Sequence, residues 1–223
     1  TCMFDLTLSF DNGPEPGVTP HVLDALARRG IKATFFVIGE KIADPERRRL
    51  MERAHAEGHW IGNHTYTHSL PLGRHPDPDI AEKEIAPTQD LIGGLAHARR
   101  WFRPFGGGGN LDDGLLQPSV VDHLVRGGYS CVLWNSIPRD WDDPTGWVDR
   151  ALAQCRSQPW SLMVLHDLPT GAMDNLDRFL DAAVDAGARF GQEFPPACVP
   201  IRSGEIVLPI DNYVSNRNEH KAS

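Results

Sequence analysis

Apolar and polar residues alternate over residues 3–10 (Met-Phe-Asp-Leu-Thr-Leu-Ser-Phe), the two-residue period of a strand. Val18, Val22 and Leu26 then recur at helical spacing through 18–29, and Gly30 follows as a stop. Residues 33–38 are a short run of β-formers and predict a buried strand. A helix is predicted over 45–57, opened by Asp44 as cap with Pro45 in its first turn and closed by Gly58. Further helices are predicted over 79–92 (capped by Asp79, kinked at Pro87), 118–126, 145–154 and 175–186. Strands are predicted over 101–105, 129–134 and 160–165. Strands separated by helices imply parallel pairing through right-handed crossovers. Groups that do chemistry then belong at the carboxyl ends of strands. No repeat or linker breaks the pattern, which predicts one domain over 1–223 with its core at about 3–190. From about Gly204 the period is lost, and the segment holding Asn212, Asn216 and Asn218 predicts an edge strand followed by loose chain.

Five polar motifs fall at the ends of apolar runs. Ser9-Phe10-Asp11-Asn12-Gly13-Pro14 places a carboxylate and a carboxamide side by side after the first strand. His64-Thr65-Tyr66-Thr67-His68 supplies two imidazoles four residues apart. Trp101-Phe102-Arg103-Pro104-Phe105-Gly106 carries a basic group, Pro138-Arg139-Asp140-Trp141 a carboxylate, and Leu162-Met163-Val164-Leu165-His166-Asp167 a further imidazole. Taken alone, Asp-Asn-Gly reads as a turn and His-x-x-x-His as a surface pair. Two histidines and an acidic residue are also a minimal site for a divalent metal that keeps a position open for water.

In this order along the chain, the motifs resemble those of the polysaccharide deacetylases of carbohydrate esterase family 4, over about residues 3–190. The resemblance implies a distorted (β/α) barrel with fewer than eight regular strands, an α/β fold. It implies amide hydrolysis on an N-acetylated sugar. Asp11 would be the base, Arg103 the cation that orients it, His166 the acid and Asp140 the partner that keeps His166 protonated. His64, His68 and Asn12 would hold the metal, Zn²⁺ in the first instance. Trp141 and Leu165 would wall the acetyl methyl, and a backbone N–H near Phe105 or Gly106 would face the oxyanion. Two departures stand out. Asn12 replaces the family's metal-binding aspartate and brings no charge, so the metal is expected to be held weakly or not at all. The arginine motif is one residue short of the usual Arg-x-Pro-x-Gly spacing and runs into Gly106-Gly107-Gly108-Gly109. A metal-independent, allantoinase-like hydrolase of a small cyclic amide therefore stays open, as does an inactive carbohydrate-binding domain.

Composition narrows the partners. The chain has 223 residues and 40% apolar content, enough for one well-buried α/β domain. Its 22 basic and 30 acidic residues give a net charge of −8, which argues against nucleic acid or an anionic membrane as partner. No apolar run approaches the ~20 residues of a membrane span. Cys2, Cys131, Cys155 and Cys198 are scattered and read as thiols of a reducing compartment. With no visible signal peptide, the cytoplasm is favoured, although the start at Thr1 leaves room for a removed leader. The other histidines are expected to be structural: His21, His55, His97 and His123 on helices, and His220 in the tail. His59 and His75 stand near enough to the metal pair to be reserve ligands.

Overall fold

The computed structural model describes residues 2–216, so Asn218 and His220 lie outside the described residues. The central strand β1 (Phe4–Asp11) is buried along nearly its whole length, and strands cover both of its edges. Along one edge runs β6 (Trp160–His166), in register from Asp5 opposite Trp160 to Asp11 opposite His166. The other edge is shared: β2 (Thr34–Val37) pairs with Ser9–Asp11, and β7 (Ala188–Gly191) with Phe4–Thr7. The sheet continues through β3 (Trp60–Asn63), β4 (Trp101–Phe102) and β5 (Ser130–Cys131), all parallel. It then turns antiparallel at β8 (Ile201–Arg202) and β9 (Glu205–Ile206). Between β5 and β6 the ring is closed by a single bridge, Ser136 to Met163. This is a distorted α/β barrel with six strands around its ring, as expected from the sequence.

Helices cover the outside. In α1 (Thr19–Arg28) the residues Val22, Leu23, Ala25 and Leu26 form the buried stripe and Pro20 stands in the first turn. A short helix α2 (Gly39–Ile42) precedes α3 (Pro45–Ala56), where the Asp44 side chain accepts the Arg47 N–H at 3.1 Å, as its capping role predicts. The helix expected over 79–92 is two helices, α4 (Ile80–Glu84) and α5 (Ala86–Ile92), with Pro87 in the first turn of the second. Asp79 flanks α4 but its side chain makes no capping bond. Then come α6 (Pro118–Arg126), α7 (Trp147–Arg156) and α8 (Leu176–Ala186). The strands expected over 101–105 and 129–134 pair for only two residues each. Past Phe102 and Cys131 both chains leave the ladder toward the barrel mouth. Cys131, Cys155 and Cys198 are buried free thiols and Cys2 is an exposed one. His97 lies beyond the last helical turn and packs its ring against Trp60 and Trp101, so its helical placement is corrected. Among the described residues, no helix is long and apolar enough to cross a membrane.

Candidate active site

The strand ends converge on one cavity of about 190 Å³, lined by Asp11, Asn12, His64, His68, Phe105, Gly106, Trp134, Trp141 and His166, among others. Asp11 ends β1, His64 follows β3, Arg103 follows β4 and His166 ends β6. The parallel sheet therefore delivers these groups to one mouth, as barrel topology requires.

On one side stands Asp11, buried at 3% exposure. The Arg103 guanidinium donates from Nη1 to Asp11 Oδ1 at 2.9 Å and to Ser9 Oγ at 2.7 Å. Its Nε and Nη2 donate to the carbonyls of Val132 at 3.3 Å and Leu133 at 2.9 Å. The guanidinium lies over the Phe36 ring at 4.3 Å. Arg103 is fully buried, yet each of its three side-chain nitrogens has an acceptor and its charge is paired, which is what makes such burial tolerable. Burial pushes the Asp11 carboxyl up, but the positive charge around it, that of Arg103 foremost, outweighs it and holds the group below its ordinary range. It is an ionised carboxylate with one oxygen fixed.

Across the cavity, Asp140 is held with 1% exposure. Its Oδ1 lies 2.7 Å from His166 Nδ1, and its Oδ2 accepts the His166 N–H at 2.8 Å. Burial pushes the imidazole down, but Asp140 outweighs it and raises the His166 pKa above the ordinary histidine value. Trp141 meets the His166 ring edge-on at 5.1 Å. Asp140 thus favours the protonated ring, whose Nε2 makes no hydrogen bond among the described residues.

The third group is the pair His64 and His68, whose ring centres lie 5.1 Å apart. His64 Nδ1 is 2.8 Å from the Arg103 carbonyl, which makes it the protonated nitrogen, and His64 Nε2 lies 3.6 Å from Asp11 Oδ2. Burial lowers both pKa values, that of His68 to about 3, so both rings are neutral. The Phe105 ring covers His68 at 3.8 Å. Asn12 adopts φ 79° and its Oδ1 is buried with no hydrogen-bond partner among the described residues. Among the described residues no three His, Cys, Asp or Glu side chains gather to hold an ion by themselves, so a metal here would draw its third donor, an oxygen, from Asn12. The reserve ligands are elsewhere. His59 Nδ1 accepts the Ala33 N–H at 3.0 Å, and His75 Nδ1 accepts the Asp77 N–H at 3.2 Å.

Leu165 is fully buried in the core between sheet and helices and does not line the cavity. Val164 and Leu168 do. The signal was present in the sequence: alternation puts Val164, two residues before His166, on the same face as the imidazole. The same rule marks Ser9, two residues before Asp11, which was not singled out although it accepts from Arg103. Phe105 and Gly106 both line the cavity, and their amide N–H groups find no acceptor among the described residues.

A family model described as polysaccharide deacetylase matches residues 4–117. A chitooligosaccharide deacetylase of Rhizobium leguminosarum bv. trifolii is 36% identical over 172 residues, covering 73% of this chain and 71% of that protein. One from Bradyrhizobium sp. (strain ANU 289) is 33% identical over 204 residues, covering 85% and 87%. Among solved structures, the Bc1960 peptidoglycan N-acetylglucosamine deacetylase superposes with a TM-score of 0.70 at 28% identity, over 87% of each chain.

Proposed function

Since this chain belongs to the polysaccharide deacetylase family, and so to the hydrolases of carbon–nitrogen bonds other than peptide bonds, we propose that it deacetylates an N-acetylated sugar or oligosaccharide. The observation that carries this reading is the pairing of two preset units across one cavity: a carboxylate kept ionised by Arg103 and an imidazole kept protonated by Asp140. Amide hydrolysis needs both, a base for water and an acid for the departing nitrogen.

In this reading Asp11 accepts a proton from the attacking water, and Arg103 keeps its carboxylate charged and aimed. The oxygen that gains charge on the acetyl carbon faces the N–H groups near Phe105 and Gly106. His166 gives its proton to the sugar nitrogen as the carbon–nitrogen bond breaks, releasing acetate and a free amine. Trp141, with Val164 and Leu168, walls the methyl.

Asn12, His64 and His68 would hold a divalent ion, and the donor chemistry fits. Both imidazoles are neutral, His64 is oriented through its Nδ1, and the Asn12 amide oxygen has no other partner among the described residues. When bound, such an ion, Zn²⁺ in the first instance, supplies a Lewis acid beside the acetyl carbonyl. With an amide in place of a carboxylate, the set carries no charge of its own, so binding is weaker than an aspartate would give.

The test measures acetate released from N-acetylglucosamine oligomers before chelation, after it, and after Zn²⁺ is returned. Release that chelation abolishes and Zn²⁺ restores is the expected result. Chelator-resistant hydrolysis of a cyclic ureide, with no acetate released from the oligomers, would overturn the proposal.

A further inference from the structure

We propose that Lys41 is a positioning residue for the metal-binding face of the cavity, acting through the backbone of Asn12. The inference rests on Asn12, His64 and His68 being the ligand set.

Both loops that carry those ligands are bent into unusual backbone. Asn12 (φ 79°), Thr65 (φ 71°) and His68 (φ 53°) all occupy the left-handed region although none is glycine. Such conformations persist where the surroundings over-determine them. Here one short segment, residues 38–41, does so for both loops at once. The Ile38 N–H donates to the Gly13 carbonyl at 3.1 Å. The next two amides turn to the histidine loop, Gly39 N–H to the Thr65 carbonyl at 2.9 Å and Glu40 N–H to the Tyr66 carbonyl at 3.0 Å. The approach is so close that a Cβ on Gly39 would stand 2.2 Å from Thr88 Oγ1 and 2.4 Å from Tyr66 Cδ2.

The last link is a side chain. Lys41 Nζ donates to the Asn12 carbonyl at 2.7 Å and pairs with Glu15 Oε1 at 2.6 Å. Glu15 is in turn held by Arg47 at 3.0 Å. On the other side of the same residue, the Asn12 N–H reaches the Phe36 carbonyl at 3.3 Å. The peptide planes before and after the Asn12 Cα are therefore both fixed, and together they set the direction of its Cβ. The Oδ1 is aimed by the backbone, since among the described residues no hydrogen bond to the amide oxygen does it. A charge-assisted bond from Lys41 is the stronger of the two restraints. A neutral ligand such as Asn12 gains nothing from long-range attraction to an ion, so its contribution depends on direction, and that gives Lys41 its role.

The experiment titrates the purified, metal-free protein with Zn²⁺ alone by calorimetry, for the parent, Lys41→Met and Lys41→Arg, and records each metal-free melting curve. Outer residues that orient ligands are worth about 10–100-fold in metal affinity. Lys41→Met is expected to lose at least ~10-fold in Zn²⁺ affinity by that measure, with the metal-free melting curve little changed. Lys41→Arg, which keeps a charged donor, is expected to retain most of the affinity. Should Lys41→Met fail to fold, Lys41→Gln takes its place in the same comparison. If the parent binds Zn²⁺ and the neutral variant binds equally well, the inference falls and the metal reading stands. An equal loss in the folded Lys41→Arg variant overturns the inference too. If the parent itself binds no Zn²⁺, the metal reading falls and this inference with it.

Discussion

The residue that couples the acid half of the site to pH is Asp140. Buried beside His166 with both oxygens engaged, it outweighs the desolvation that would otherwise deprotonate the ring. A histidine acting as acid must be protonated, so activity is lost as pH rises through its pKa, and a raised pKa moves that loss to higher pH. Removing the charge reverses the shift. In Asp140→Asn the alkaline limb of the kcat profile is expected to move to lower pH by about 1–3 units, the usual reach of a contacting charge. Profiles with superimposable alkaline limbs would take the acid role from His166. The site's charged residues were legible in the sequence because each motif brings its own chemistry to the end of an apolar run. What a motif does not encode is which neighbour faces inward. Leu165 was expected at the wall, but strand alternation turns it into the core and presents Val164 instead.

At the scale of elements, the long periodic segments were readable and the short ones were not. The helix at Pro118–Arg126 and the capped helix at Pro45 follow directly from stripe, cap and stop. β4 and β5 pair for two residues each because their chains peel away to carry Arg103 and Trp134 inward, and apolar runs that continue past the pairing hide that departure. β7 shares an edge with β2 that only the assembled sheet makes available, so no local signal announced it. One consequence of strand packing can be measured. Gly62 lies in β3, and a Cβ there would stand 2.4 Å from Phe36 Cδ1, in the ring that supports the Arg103 guanidinium. The fully buried Phe36 could yield only by displacing the side chains packed around it, the Arg103 guanidinium among them. Gly62→Ala is therefore expected to cost about 1–3 kcal/mol by overpacking, or roughly 2–4 °C in Tm per kcal/mol. It should also lower kcat by disturbing the hold on Asp11. Thermal unfolding and initial rates of acetate release check both. An unchanged Tm would mean that the Phe36 ring is not confined as described.

Across the whole molecule, the barrel is closed by contacts between segments far apart in sequence, and one of them holds a buried titratable carboxyl. Asp167 follows His166 at the end of β6 and is buried with 1% exposure. Thr19, at the start of α1, donates to its Oδ2 at 2.6 Å, while Oδ1 has no partner among the described residues. Burial pushes the carboxyl up to about 7 from an ordinary 3.8, against the weaker pull of Thr19 and more distant cations. The sign of the effect on stability follows. Between about pH 4 and pH 7 the folded chain keeps a proton that the unfolded chain has released, so stability declines as pH rises through that window and levels off above it. A shift of this size corresponds to at most ~4 kcal/mol, at about 1.36 kcal/mol per unit. Asp167→Asn keeps an oxygen for Thr19 and cannot ionise. It is expected to match the parent near pH 4 and to exceed it in stability by up to a few kcal/mol at pH 8, since the buried charge is then absent. Denaturant unfolding at the two pH values decides the matter. A variant less stable than the parent at pH 8 would mean that the ionised carboxylate has a partner in solution, and that the closure between β6 and α1 depends on that charge.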